Sequence, residues 1–243
     1  MSFPTRPYDW RDDADFGQET RLRTRAALTP ELIIDAASRL AATAGADALT
    51  VRRLGKELGA DPTAIYRHFR DKDEIILEVA DRLVAATVEA LPAGLAWRPR
   101  LEWLARQTVR TFVAHPAIAP IVALRTTRRP GEFRTVEAVL GALREAGLTE
   151  EQAAFQHLVY SETIFSYAAM CSAYAALDES SRQGDEAAWS HEYRSLPPQR
   201  YPHIAAAAPY LAEIDDDMVL EGIVQALLDR VESLAGPARP TGA

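Results

Sequence analysis

The chain has 243 residues, 48% of them hydrophobic and 26% charged, so it can bury a sizeable core in one or two domains; it has no apolar run long enough to cross a bilayer, so no membrane partner is expected. Its single cysteine, Cys171, excludes an intrachain disulfide framework and fits a reducing cytoplasm, packed as a small hydrophobe. The net charge of −8 argues against indiscriminate binding to nucleic acid, yet residues 20 to 70 hold nine Lys or Arg against five Asp or Glu, a local +4.

Residues 1–27 are polar, lack helical periodicity and end in the basic Arg21, Arg23, Arg25 run, which reads as a flexible N-terminal arm. Its basic end suits a DNA minor groove or serves as a solvated tail, and Tyr8, Trp10 and Phe16 offer a docking alternative for the earlier part. From Thr29 the pattern is helical almost throughout, with no alternating strand pattern. Leu32, Ile33, Ala36, Ala37 and Leu40 form one apolar face that Gly45 closes.

The next segment is the most informative in the chain. Val51, Leu54 and Leu58 lie at i, i+3 and i+7 of a short helix that Thr50 can cap with its hydroxyl. Gly59 supplies a left-handed position, and Asp61-Pro62 restarts a helix with an acidic cap and a proline at its first site. In that second helix, read as Pro62 to Phe69, Ile65 and Phe69 point inward and Thr63, Ala64, Tyr66, Arg67 and His68 remain on the outer face. Gly55, mid-helix, makes sense if the second helix crosses close above it. This is a helix-turn-helix, whose second helix fits a DNA major groove.

Within it, Arg67 can fork onto guanine, Thr63 can meet a polar edge or a thymine methyl, and the small Ala64 permits close approach. Thr50, Tyr66, His68 and Lys72 are assigned to the DNA backbone. Asp71 to Glu74 reads as a helix start, with Asp71 as cap, Glu74 reaching back and Lys72 among free amides that suit a phosphate.

The helix begun near Lys72 continues through Ile75, Ile76, Val79 and Leu83 towards Leu91-Pro92 as a rod joining the head to the rest of the chain. Proline and glycine then punctuate three shorter helices near 99–114, 117–126 and 132–146. Residues 149–178 form a long helix too apolar for one buried side, 179–212 is irregular with short helices around 186–193 and 204–211, and Asp215 to Asp217 open a last helix. Its stripe of Leu220, Ile223, Val224, Leu227, Leu228, Val231 and Leu234 ends at Gly236-Pro237. The 149–178 and 215–235 helices are expected to form a homodimer interface, with packing inside one monomer as the competing reading.

These motifs resemble those of the tetracycline-repressor (TetR-like) family of bacterial transcription regulators. Leu28 to Ala37 is similar to that family's first helix, Leu49 to Leu54 to the entry of its second, Ala64 to Phe69 to its recognition helix, and Phe69 to Ile75 to the following junction. The resemblance implies DNA contacts at Thr50, Thr63, Tyr66, Arg67, His68 and Lys72. Many members carry Ser or Thr where this chain has Asp61 and Ala64. More weakly, Leu124 to Pro130 and Ala146 to Ala153 resemble the family's tetracycline-repressor-type regulatory half. The implied protein is an all-α, cytoplasmic bacterial homodimer on a palindromic operator, with a small-molecule effector in its core changing the separation of two reading heads. The expected domains are residues 28–75 as the DNA-binding head, 76–236 as the ligand-binding and dimerisation body, and 237–243 as a tail.

A bundle pocket needs apolar walls and a few oriented polar groups. Trp103, Phe112, His115, Arg125, Arg129, Phe133, His157, Tyr160, Glu162, Phe165, Tyr167 and Met170 are the candidates, His157 and Glu162 being the most suggestive because a buried polar group needs a partner. Tetracycline itself is not expected, since Ile121 to Leu124 occupies the neighbourhood where relatives that bind a drug-metal complex place a histidine. No phosphate loop, dinucleotide fingerprint, nucleophile elbow or zinc-protease motif occurs, and the five histidines are scattered. Neither an enzyme nor a cofactor or metal site is expected. The alternative is an all-helical scaffold protein that keeps the head without operator binding, a reading that acidic Asp61 favours.

Overall fold

A computed structural model describes residues 28–43 and 49–235. The expectations for the arm, Gly45, Gly236-Pro237 and the tail lie outside the described residues. Every element among the described residues is helical: α1 Pro30–Thr43, α2 Val51–Leu58, α3 Pro62–Ile65, α4 Lys72–Glu89, α5 Trp97–Val113, α6 Ala119–Val122, α7 Pro130–Glu145, α8 Glu150–Ala175, α9 Glu179–Ala187, a π turn Ala188–Glu192, α10 Tyr193–Ser195, α11 Pro202–Leu211 and α12 Asp216–Ala235.

In the head, α1 packs on both α2 and α4. Two neighbours demand a wider apolar arc than one, and the buried set is Ile33, Ile34, Ala36, Ala37 and Ala41. The arc is thus rotated towards Ile34, leaving Leu32, expected to be inward, 40% exposed. Helix α2 has the expected bounds: Thr50 Oγ1 accepts from the Arg53 amide at 3.2 Å, and Gly59 closes it at φ 59°. What lies above Gly55 is the turn rather than the axis of α3. A Cβ there would sit 2.8 Å from the Ala60 carbonyl oxygen and 3.4 Å from the Pro62 ring.

Helix α4 leaves the head and runs into the body, where it packs against α5, α6 and α7. Buried residues ring most of its circumference, including Ile75, Ile76, Val79, Ala80, Asp81 and Val84. In the body, α8 packs on α5 and α7, and α12 on α8 and α5. Thr149 and Gln152 cap α8 reciprocally. Tyr160 lies buried on α8 and donates its hydroxyl to the Leu101 carbonyl of α5 at 2.6 Å. Arg98 of α5 holds α12 through Asp229 at 2.7 Å and Glu232 at 3.0 Å. Leu220, Val224, Leu228 and Val231 of the expected α12 stripe are buried, and Ile223, Leu227 and Leu234 pack beside them.

Two expectations about elements are corrected. The helix near 117–126 is regular only over the single turn Ala119–Val122; turn bonds carry on to the Arg125 amide, which meets the Ile121 carbonyl at 2.9 Å, and Arg129, which precedes Pro130, is extended at φ −131°. The region after 178 is helical from Glu179 to Ser195 and again from Pro202 to Leu211, with a non-helical link between. Asp178 accepts from the Ser181 amide at 3.0 Å to start α9, which buries no residue and so carries no apolar period by which to read it.

Candidate nucleic-acid interface and body cavity

The head presents α3 outward on a support made by two buried side chains, Ile65 and Phe69. Asp61 caps α3, accepting from the Thr63 amide at 2.8 Å and from the Thr63 hydroxyl at 2.6 Å. These bonds, hydroxyl first, hold the Asp61 carboxyl below its ordinary range. The regular helix is shorter than the expected Pro62–Phe69 span. After Ile65 it tightens, with the Arg67 amide bonded to Ala64 and the His68 amide to Ile65, three residues back in each case. The Phe69 amide still reaches the Ile65 carbonyl, so the side chains keep a common outer face.

On that face Thr63, Tyr66, Arg67 and His68 are exposed and Ala64 is half-buried. Tyr66 is 49% exposed, unusual for a ring with apolar core close by. Thr50 is half-buried and its oxygen is engaged as the α2 cap. Lys72 is the first residue of α4, next to the Asp71 cap that accepts from Glu74 at 2.8 Å. Glu74 reaches back one residue further than expected, to the Arg70 amide at 2.6 Å. Arg52, Arg53, Lys56, Arg67 and Lys72 have no ion pair among the described residues. The surface therefore combines uncommitted cations, amide-rich helix starts and a protruding polar helix face. Such a surface can neutralise phosphates and reach base edges.

In the body, a cavity of about 280 Å³ opens between α4, α6, the 123–127 segment, α7 and α8. Of the expected ligand residues it gathers His157, Glu162, Phe165 and Arg125. His157 Nδ1 lies 3.3 Å from the Ser161 hydroxyl, and burial pushes the imidazole below its ordinary pKa while Glu132 opposes the shift. The remaining candidates lie elsewhere. Phe112 is buried and meets the Phe165 ring edge-on at 5.8 Å, so it backs the cavity wall from the core. Tyr160 is consumed by Leu101, Trp103 packs on the core, and Tyr167 donates to the Asp216 carbonyl at 2.9 Å. His115 faces the Thr111 carbonyl at 2.7 Å, Arg129 pairs with Glu78 at 2.7 Å, Phe133 is 59% exposed and Met170 borders a different cavity.

Sequence reasoning missed Asp81, Thr127 and Gly131, the centre of a clasp between this cavity and α4 to which the candidates Arg125 and Arg129 also contribute. Buried Asp81 accepts from the amides of Gly131 at 2.9 Å and Glu132 at 2.8 Å and from the Thr127 hydroxyl at 2.8 Å, so a side chain of α4 caps α7. A Cβ on Gly131 would fall 2.4 Å from the Asp81 carbonyl oxygen, so only glycine permits this approach. Arg125 reaches Asp73 at 3.0 Å, and Arg129 reaches Glu78. One signal was available: α7 begins with Arg-Pro-Gly-Glu, so the N-cap residue Arg129 has no side-chain acceptor for the first amides of the helix, which leaves them to another partner.

Among the described residues, no group of three His, Cys, Asp or Glu is placed to hold a metal ion, and no helix is long and apolar enough to cross a membrane.

Comparison with known proteins agrees with this architecture. Residues 33–79 match the model of the tetR family of bacterial regulatory proteins, and residues 91–233 that of the tetracycline-repressor-like C-terminal domain. The chain is 34% identical over 137 residues to the HTH-type transcriptional repressor Rv1353c of Mycobacterium tuberculosis, covering 54% of this chain and 52% of that protein. It is 29% identical over 141 residues to the HTH-type transcriptional repressor DrrR1 of Streptomyces coeruleorubidus, covering 57% and 52%. It thus spans about half the length of the curated relatives it matches. Among solved structures, the TetR family protein ActR of Streptomyces coelicolor in complex with actinorhodin superposes with a TM-score of 0.75 at 26% identity, over 88% of this chain and all of that one.

Proposed function

The chain belongs to the tetracycline-repressor family of bacterial regulatory proteins, a family of regulators and not of enzymes, and on that premise we propose that it is a cytoplasmic, ligand-responsive transcriptional repressor. It acts as a homodimer on a palindromic operator, with residues 28–75 as head and 76–236 as body. The observation that carries the reading is the exposed polar face of α3 surrounded by cations without ion pairs. Arg67 and Thr63 read bases, Ala64 allows the helix to approach, and Thr50, Tyr66, His68 and Lys72 set the register on the phosphates. Asp61 spends its charge on capping Thr63, so its acidity is a local structural device and does not favour the scaffold alternative.

Dimerisation through α8 and α12 is supported by the apolar side chains these helices leave in solvent. Phe155 is 64%, Leu158 56%, Met218 55% and Val219 39% exposed. Apolar surface of that kind on adjoining helices favours burial against a second copy. The effector occupies the cavity beside His157, Glu162 and Phe165. Its wall includes Arg125 and Thr127, which grip α4 at Asp73 and Asp81, so an occupant that displaces this segment pulls on the helix carrying the head. Among known relatives, ActR is a family member solved with actinorhodin bound.

The direct test is a binding assay of the purified protein on DNA from its own promoter region at several salt concentrations. A steep fall of affinity with salt, with Arg67→Ala relaxing sequence discrimination and Lys72→Ala weakening all sequences alike, supports the proposal. Binding that is undetectable, or indifferent to salt, across a genomic fragment library overturns it.

A further inference from the structure

A second cavity, of about 650 Å³, opens at the far end of α8, where the π turn and α10 face the start of α12. It shares no lining residue with the cavity beside His157. Phe165 and Met170, the nearest α8 residues of the two, are separated by roughly 7.5 Å of helix rise. Its size falls within the roughly 300–1,000 Å³ of small-molecule sites.

The wall chemistry is specific. Trp189 and Tyr193 are stacked, with centroids 4.5 Å apart and planes 18° apart, each lending one face to the other. Tyr174 and the thioether of Met170 add polarisable surface. Asp185, Glu186 and Asp216 also line the cavity, while no Lys, Arg or His does. None of these three carboxylates has an ion pair among the described residues. Asp215, beside them, is already used to cap α12 through the Met218 amide at 2.8 Å. The Tyr174 phenol is pushed above its ordinary pKa by loss of solvent and then by Glu186, Asp185 and Asp216, while Arg182 opposes the shift.

Aromatic faces and carboxylates share one electrostatic preference. The π cloud presents negative charge to a cation over the ring, and carboxylates in a concave wall deepen the negative potential. An inorganic ion gains little from rings and needs converging oxygens, and no such cluster is present among the described residues. We propose that this cavity is a second small-molecule site, specific for a monovalent organic cation with an aromatic or apolar body, such as a quaternary or tertiary ammonium. The cation lies against Trp189 and Tyr174 with its charge facing Asp185, Glu186 and Asp216. Binding there ties the α9 to α10 segment to the α8–α12 corner by removing carboxylate repulsion. The inference is independent of DNA reading and is tested without DNA.

The test titrates the full-length protein calorimetrically with benzyltrimethylammonium and with its uncharged isostere neopentylbenzene. The expected result is saturable binding of the cation alone. It should weaken roughly tenfold in Trp189→Leu and in the double variant Asp185→Asn/Glu186→Gln, and stay unchanged in Glu162→Gln of the other cavity. Both sets of changes are at exposed side chains, and unchanged thermal midpoints without ligand verify that the variants fold. Equal binding of the neutral isostere, undiminished binding in the double variant, or loss of binding in Glu162→Gln overturns the proposal.

Discussion

On the head, Arg52, Arg53, Lys56, Arg67 and Lys72 stand without ion pairs among the described residues, whereas in the body Arg98, Arg100, Arg106, Arg125, Arg129, Arg134 and Arg144 each meet a carboxylate. Those body arginines are tied down where they link helices, whereas these five head cations stay open, although two other head arginines do pair, Arg39 with Glu57 and Arg70 with Asp71. The difference explains how an acidic protein keeps a locally basic face: residues 28–75 hold seven Lys or Arg against eight Asp or Glu, so the head is not basic as a whole, but the five open cations lie on α2, beside α3 and at the start of α4, where their charge acts at short range. It also separates two kinds of mutational consequence, loss of fold in the body and loss of recognition in the head.

The largest effect is expected where the two regions meet. Gly131→Ala forces a Cβ against the Asp81 carbonyl, a backbone group that cannot swing aside, and should cost about 3 kcal/mol in urea unfolding, with displacement of α7 from α4. Asp81→Ala strands two amides and a hydroxyl and should cost about 2–3 kcal/mol, Asp81→Asn less. If either variant unfolded like the parent, the clasp would not be holding α4 to the body.

Recognition should then fail without loss of fold. Arg67→Ala is expected to lower discrimination at one base position by about 1–3 kcal/mol in a selected-oligonucleotide assay, and Lys72→Ala to reduce the salt slope by about one. Both should melt like the parent, since neither side chain is buried or ion-paired among the described residues. Equal loss across all sequences in Arg67→Ala would place that arginine on phosphate.

Smaller effects sharpen the contrast. Asp61→Ser retains an N-cap and removes a negative charge, so operator affinity should rise while unfolding stays within about 0.5 kcal/mol. Removing the exposed Arg134–Glu89 pair by Arg134→Ala should change stability by no more than about 0.5 kcal/mol. His157 gives a pH signature. Burial lowers its pKa in the folded state below the ordinary 6.5, so the unfolded chain takes up the proton first and stability declines as pH falls below about 6.5 towards the folded value. His157→Gln should flatten stability over that window in thermal melts at pH 5 to 7.

The amino-acid order by itself determined whatever acts over a few residues: the Thr50 and Asp61 caps, the left-handed Gly59, the buried spacing of Ile65 and Phe69, and the apolar stripe of α12. Capping and helical period are local, so the head and most of the helical frame are legible in the sequence. The polar α9 is not, because it buries nothing. The tertiary structure alone decided which polar groups meet: Asp81 capping a helix 50 residues away, Phe112 and Tyr160 withdrawn into the core while His157, Ser161 and Glu162 line a cavity, and Trp189 brought near Asp216. Those pairings depend on how helices cross. A helical period shows that a face is buried; the neighbour it is buried against is chosen only when the whole bundle packs.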